Sequence, residues 1–542
     1  MKRVLLLATV IAIHFNLQAQ RAEKLNINNI RASITSSGGL FQDSLDFGKF
    51  TIKDTQYKTA IYAASLWVSA YSGESSYTSI QDFYVPGSRM NDETDYRFGP
   101  VATDLSQNTF SQKYDHVWKL SKQEIDLHKS NYNDANYNMP ADISTWPAHG
   151  DTNNGEAGYL APFQDLNGNQ IYEPALGDYP LIRGDQCLFV IFNEGDRQNP
   201  KSDSSEAGLE FHLMVYAFGS SIEPGLRNGL FFHYQIYNRS NRNYDSLKVA
   251  YWNDVDLGDP TDDIIGSDSS LAMSYAYNGD SFDEGTYGFG YYPPAVGARF
   301  LSQNATGSQY YASFGAPPAL SQPVFKAEYE WLLNHKWADA SPIRLENPSG
   351  KGSNLNGDGW DTASSQNAPI TKWTYNDQAN WYFPPLRSGD NRQLLHHPSF
   401  SLNAGESQCI DLLISYARDS SSQDPYSSVL KLKTEQNAMA QHFHGLNLAC
   451  NRYQFGTESF LNPSIQPSLF PNPVKDFLHI KDLDAQKKYH LKIADYSGRV
   501  IYQSTLNSSA NQLDLSKFKP GSYILILSND SHTFKPFKIH KL

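Results

Sequence analysis

Charge and cysteine are both scarce in this chain. Asp, Glu, Lys and Arg make up only 19% of its 542 residues, and the balance is acidic, at −13. A phosphate-binding face needs clustered Lys and Arg, so the balance argues against nucleic acid as a partner. Three cysteines, Cys187, Cys409 and Cys450, are too few for a disulfide framework, and a chain of this length needs none. Cys409 and Cys450 flank one helix-like segment. Either they pair and leave Cys187 free, or all three are buried thiols. Beyond the first twenty residues no segment is apolar enough to cross a bilayer, so the mature chain is expected to be soluble or attached by other means. The signatures HExxH, GxSxG and the phosphate-binding P-loop are all missing.

Aromatic residues, in contrast, are plentiful at 13%, with 34 Tyr and 29 Phe. Together with abundant Gly, Ser and Asn, they predict a mainly β protein with long loops and few helices. The chain opens MKRVLLLATVIAIHFNLQAQ. Lys2 and Arg3 precede an apolar run from Val4 to Phe15, and small Ala19 follows. Residues 1–19 read as a secretory signal peptide, cut after Ala19. The partners this predicts are the Sec translocon and signal peptidase.

Residues 20–459 read as a β-sandwich-like cargo, with a division into two subdomains near 220 left open. Tyr57–Tyr71 is dense enough in apolar residues for one or two buried strands. Cys187–Asn193, Leu209–Phe218, Gly229–Ser240 and Asp245–Leu257 are strand-like and spaced by turns, as in an antiparallel meander or sandwich. Cys409–Arg418 is another strand. Ser121 and Glu124 form a capping-box pattern, predicting a short helix within Val117–Tyr132. Pro425–Asn447 predicts a longer one, capped by Ser427 or Ser428. The stretch from Ala141 to Gln186 has no helical period and is read as loops.

Prolines 463, 467, 471 and 473 interrupt any regular pairing, so residues 460–467 read as a linker. Beyond it, short alternating segments such as FLHI and GSYILILSN predict a small Ig-like β-sandwich over 468–542. Five elements stand there in order. They are Pro471-Asn472-Pro473, Asp495 with Gly498-Arg499-Val500, Leu513-Asp514-Leu515-Ser516, Gly521-Ser522-Tyr523, and Lys535 with Lys538. This segment resembles the type A C-terminal sorting domain of the bacterial type IX secretion system. The resemblance implies partners in the type IX outer-membrane translocon and sortase, and in anionic lipopolysaccharide. It also implies a secreted or outer-surface location reached through the periplasm. The remainder, including LNINNIRASITSSGGLF and FSLNAGESQCIDLLISYARD, is similar to an uncharacterised family of secreted Bacteroidota proteins, which brings no activity with it.

Three acidic stretches have the composition of calcium loops, because calcium takes six to eight hard oxygens. In DLNGNQIYE, the residues Asp165, Asn167, Asn169 and Glu173 fall at ligand spacing, with Asp178 beyond. An Asn/Gly turn explains the same residues equally well. In NLNGDGWD the set is Asn354, Asn356, Asp358 and Asp361, where a turn is the better reading. In WNDVDLGDPTDDIIGSD, the residues Asp254, Asp256, Asp259, Asp262, Asp263 and Asp268 crowd fifteen positions. Their mutual repulsion calls for solvent or a bridging cation, and calcium is the favoured reading. Asp254 and Asp256 could instead serve as a glycosidase pair, which needs a separation of roughly 5 or 6.5–9.5 Å. Gly279-Asp280-Ser281 echoes a GDS-type esterase, but the required Asp-x-x-His occurs only at Asp476 and His479, inside the last domain. His442 and His444 point to diverging faces of a helix and make no zinc pair. Trp146, Trp252, Trp331, Trp360 and Trp373 are read as core before sugar platforms. The expectation is a calcium-stabilised structural or adhesive surface protein without a catalytic residue. The alternatives are a polysaccharide-active hydrolase and a glycan-binding protein.

Overall fold

The computed structural model describes residues 22–42, 50–53, 57–82, 94–105, 108–195, 202, 204–219, 224–268, 270–312, 322–336, 338–340, 390–445, 450, 468–481, 488–494, 500–506, 512–529, 532–533 and 537–542. Two compact units divide the chain, residues 1–454 and 455–542.

The first unit is an antiparallel β-sandwich. Its larger sheet runs Asp263–Asp268, Met273–Asn278, Ala295–Phe300, Ser407–Ala417, Gly229–Asn238, Leu209–Ala217 and Gln186–Asn193, with Arg97–Phe98 and Trp118–Ser121 both beside the last strand. The facing sheet runs Gly307–Ala312, Asn391–Leu402, Tyr244–Asp254, Ala63–Ser72 and Ser75–Ser79. A four-stranded extension, Ala22–Leu25 to Tyr57–Ile61, joins it through the bridge between Leu40 and Ala64. Tyr57–Tyr71 is thus two strands, separated at Tyr62. Strands on either side of residue 220 pair directly, so one sheet spans that position.

Side-chain alternation explains the layering. In Gly229–Asn238, residues Phe232, Tyr234 and Ile236 belong to the core that also holds Val68, Val249 and Leu395 of the facing sheet. Phe231, on the opposite face of the strand, packs with Met439 and Phe443 of the helix Tyr426–Gly445. The outer face of the second sheet is also covered. Trp67 stacks on Trp252 at 5.6 Å and 10°, beneath Tyr329, Leu332 and Leu333 of the helix Lys326–Leu333. Central strands are therefore buried on both faces, which explains near-continuous apolar runs such as Tyr251–Trp252.

The helix Lys122–Asn131 begins at Ser121 with the reciprocal Ser121–Glu124 box read from the sequence. At the long helix, Asp424 takes the capping position expected for Ser427 or Ser428. Its carboxylate accepts the Tyr426 N–H at 3.0 Å, while the Ser428 hydroxyl donates to Pro293 O at 2.8 Å. Cys409 and Cys450 form a disulfide, and Cys187 is a buried thiol. No helix among the described residues is long and apolar enough to cross a membrane.

The second unit is a small sandwich of two antiparallel sheets. One is Ser468–Phe470, Phe477–Lys481 and Gln512–Asp514. The other places Tyr489–Ala494 between Val500–Leu506 and Gly521–Asn529, with His532–Thr533 and Phe537–Lys541 pairing Gly521–Asn529. Leu478, Ile480, Leu491, Ile493, Leu513, Leu525 and Ile539 fill its core.

Candidate functional site

The acidic site is made where the chain leaves one sheet of the sandwich for the other. Asp254 ends the strand Tyr244–Asp254, and Asp263 begins the strand Asp263–Asp268 in the opposing sheet. The connection between them carries Asp256, Asp259 and Asp262. Gly258 within it has φ +81°, and a Cβ there would collide with the Asp283 carboxylate, so glycine is needed for the loop to pass.

Two trios of carboxylates converge here. Oxygens of Asp254, Asp256 and Asp390 lie within 4.8 Å of one another, and so do those of Asp262, Asp280 and Glu284. Arg392 counters the first trio. Its Nε lies 3.1 Å from Asp254 Oδ1, its Nη2 donates to Asp254 Oδ2 at 3.2 Å, and its Nη1 bonds Asp390. Asp283 is buried behind the second trio, accepting the Asp259 N–H at 3.0 Å and the Phe289 N–H at 2.7 Å. Asp263 is 3% exposed; its Oδ2 accepts the Leu257 N–H at 2.8 Å, while its Oδ1 has no hydrogen-bond partner.

These carboxyls resist ionisation. Burial, then the charges of Asp256 and Asp390, raise Asp254 well above the carboxylate range against the pull of Arg392. Burial and Asp390 push Asp256 up to about 7. Burial and the Asp283 charge push Asp262 up to about 6, and burial brings Asp283 to about 6. Asp263 is raised well above its ordinary value by burial, with Asp256, Asp262 and Asp283 as acidic neighbours. A divalent cation would reverse this situation by favouring every ionised form. The donor set is all oxygen, as calcium requires.

Asp268 is not brought into the site. It lies at the far end of its strand, five residues or about 16 Å from Asp263. Burial disfavours its charge, but the Lys433 ammonium at 2.7 Å and the Ser270 hydroxyl overcome that and hold its carboxyl below the usual range.

The sequence reading missed Asp390, Arg392, Asp280, Asp283 and Glu284. The first two reach the site by strand pairing, since Arg392 stands opposite Asp254 in register. Asp280 belongs to the block set aside as an esterase echo, and the carboxylate density of GDSFDEG was its available signal.

Asp165, Asn167, Asn169 and Glu173 gather on an exposed loop. Asp165 accepts the N–H groups of Asn167, Gly168 and Gln170, while the Asn167 and Asn169 amides donate to Glu173. Asp178 closes the loop from beneath, accepting from Leu166 N and Glu173 N at 2.9 and 2.8 Å. Asn354, Asn356, Asp358, Asp361, Trp360 and Trp373 lie outside the described residues. Trp146 and Trp252 are buried. His233, Cys409 and Asp411 also cluster, but Cys409 is in the disulfide and the Arg183 guanidinium stands 3.5 Å from Asp411. That position already holds a cation.

In the C-terminal unit, Pro471-Asn472-Pro473 is a fastening for the last strand. Asn472 Nδ2 donates to Lys538 O at 2.7 Å, and its Oδ1 accepts the His540 N–H at 2.9 Å. Gly521 opens the strand Gly521–Asn529, and Tyr523 on that strand donates its hydroxyl to Lys519 O at 2.7 Å. Lys538 pairs in register with Ile524. Asp495, Gly498, Arg499 and Lys535 lie outside the described residues.

Residues 468–539 match the family model of the secretion system C-terminal sorting domain. No curated protein matches the chain. Among solved structures, it has likeness to a polysaccharide lyase at 8% identity and TM-score 0.19, covering 67% of this chain and 37% of the lyase. A copper-containing benzylamine oxidase from Hansenula polymorpha aligns at 6% identity and TM-score 0.28, covering 72% of this chain and 59% of the oxidase. The chain thus spans less than two thirds of either structure. Likeness at this level establishes neither a shared fold nor a shared chemistry.

Proposed function

We propose, on the premise that residues 468–539 are a type IX secretion sorting domain, that the chain is a cell-surface protein with a structural or adhesive, calcium-stabilised cargo. The sorting domain implies export to the surface or the medium and contact with the type IX machinery. The remaining steps belong to the same reading. The Sec translocon and signal peptidase handle residues 1–19, a sortase removes the tag, and anionic lipopolysaccharide receives the cargo.

The observation that carries calcium stabilisation is the convergence of Asp254, Asp256 and Asp390 within 4.8 Å at a sheet-to-sheet crossing. A cation there would hold the end of one sheet to the connection leading into the other. The gathered Asp165 loop is a further place for calcium, though its Asp and Asn oxygens already accept backbone N–H groups. A hydrolase reading is weakened by Asp254, which at 2% exposure cannot touch a substrate. Adhesion draws support from the hairpin beside the acids, where Phe282, Tyr287 and Tyr291 are exposed at 38%, 70% and 62%. Exposed tyrosines offer flat, amphipathic contact area, which suits a glycan or protein ligand.

The test is thermal unfolding of metal-stripped protein with and without calcium. A cation held only by the native state stabilises it by about 2.7 kcal/mol when free ion is a hundredfold above its dissociation constant. The melting temperature should rise with calcium and fall again with chelator. Indifference to both would remove the calcium part of the reading.

A further inference from the structure

We propose that the acidic end of the sandwich binds two divalent cations, one at Asp254, Asp256 and Asp390 and one at Asp262, Asp280 and Glu284. This rests on the calcium reading above and adds the number of ions, their separate ligands and a role for the outer one.

The two trios are built from different pieces of chain. The inner one joins a strand end, the crossover loop and the strand beginning beside Asp390. The outer one joins the end of the crossover loop to the hairpin after Met273–Asn278. Arg392 bonds both Asp254 and Asp390, so the inner trio already has one cation beside it. The outer trio is faced by the acids Asp259 and Asp283. Among the described residues, the cations on that side are spent on backbone carbonyls: Lys58, which lowers Asp283, donates its ammonium to Gly288 O, and the Arg418 guanidinium donates to Phe289 O, Tyr291 O and Tyr292 O.

Asp263 supplies an independent observation. It is 97% shielded from solvent, by its 3% exposure, yet one of its carboxylate oxygens makes no hydrogen bond. Opposite it in register stands Asn278, fully buried, whose Oδ1 is also without a hydrogen bond. A buried oxygen with no donor is costly unless something electrophilic meets it. The acids that act on Asp263 are Asp256 from the inner trio, Asp262 from the outer and the buried Asp283. Within the trios themselves, Asp254 Oδ1 and Asp262 Oδ1 are likewise buried without a hydrogen bond. Calcium, with six to eight oxygen ligands, fits this set; magnesium, with its stricter octahedron and retained waters, fits it less well.

Occupancy of the outer site would fasten the hairpin to the crossover loop. Phe282 and Tyr291 meet edge-on at 4.7 Å across that hairpin, flanked by Asp280 and Glu284. The outer ion would therefore hold the exposed aromatics in place, whereas the inner ion would secure the sandwich itself.

The experiment is calcium counting by equilibrium dialysis on the full chain, compared between variants so that ions bound elsewhere cancel. Asp280→Asn with Glu284→Gln should lower the count by one. Asp256→Asn with Asp390→Asn should lower it by one, and the four together by two. The amide replacements keep shape, and a cooperative melt in chelator verifies folding. Glu284 is exposed, so Glu284→Gln alone provides a variant that folds, with at least a tenfold weaker outer site expected. If the combined variant loses only one ion, the two trios form a single site and the proposal fails while the calcium reading stands. If none of the variants changes the count, or no ion binds at all, both fail.

Discussion

Arg392 and Asp254 face each other in register on neighbouring antiparallel strands, with Nε 3.1 Å from Oδ1 and Nη2 3.2 Å from Oδ2. Both side chains are nearly inaccessible, at 8% and 3%. Removing one member of such a pair strands the other charge, at a cost of about 3–5 kcal/mol. Arg392→Met should therefore destabilise the cargo by up to that amount in chelator at a pH where Asp254 is ionised, as read from denaturant unfolding. Calcium should recover part of the loss, since it supplies positive charge to the same carboxylates. A variant as stable as the parent in chelator would mean that Asp254 is protonated and the pair contributes little.

Deleting residues 468–542 should stop the protein short of the cell surface, leaving it in the periplasm. Cell fractionation and surface proteolysis would measure this. Normal surface levels of the truncated protein would contradict a sorting role for the segment.

His397 makes stability fall on acidification. Its Nδ1 donates to Pro398 O at 2.7 Å, and its Nε2 is buried without a partner. Burial pushes its pKa down to about 4 from 6.5. Between those values the unfolded chain binds the proton and the native one does not, so stability rises with pH across the window. Below about pH 4 the penalty saturates, near 3 kcal/mol on the order of this shift. The free-energy difference between the parent and His397→Phe should therefore depend on pH from 6.5 to 4 and level off outside it. A difference constant across that range would rule out the assignment.

The Cys409–Cys450 disulfide closes a separation of 41 residues. Replacing both with Ser should lower stability by about 4 kcal/mol through the freedom returned to the unfolded chain. Thiol counting should find no reactive thiol in the native protein, because burial pushes Cys187 up and removes its access. Unfolding should expose one thiol without reductant and three with it. Three without reductant would mean that the bridge does not form.

Local chemistry was legible in the sequence by itself. Ser121 and Glu124 mark a helix start because the box is made within four residues, and it forms as read. Alternation in Gly229–Asn238 marks a strand because successive side chains point oppositely, and its two faces do bury different cores. The motifs in 468–542 name a sorting domain because they are ordered along the chain itself. Tertiary structure decided everything that depends on non-neighbouring segments. Asp390 and Arg392 lie more than 130 positions from Asp254, and only strand pairing makes them neighbours. Asp268, close to Asp263 in sequence, is carried away by an extended strand and taken by Lys433 from a helix. An acidic run shows how many charges must be accommodated, but long-range pairing in the fold determines which of them meet.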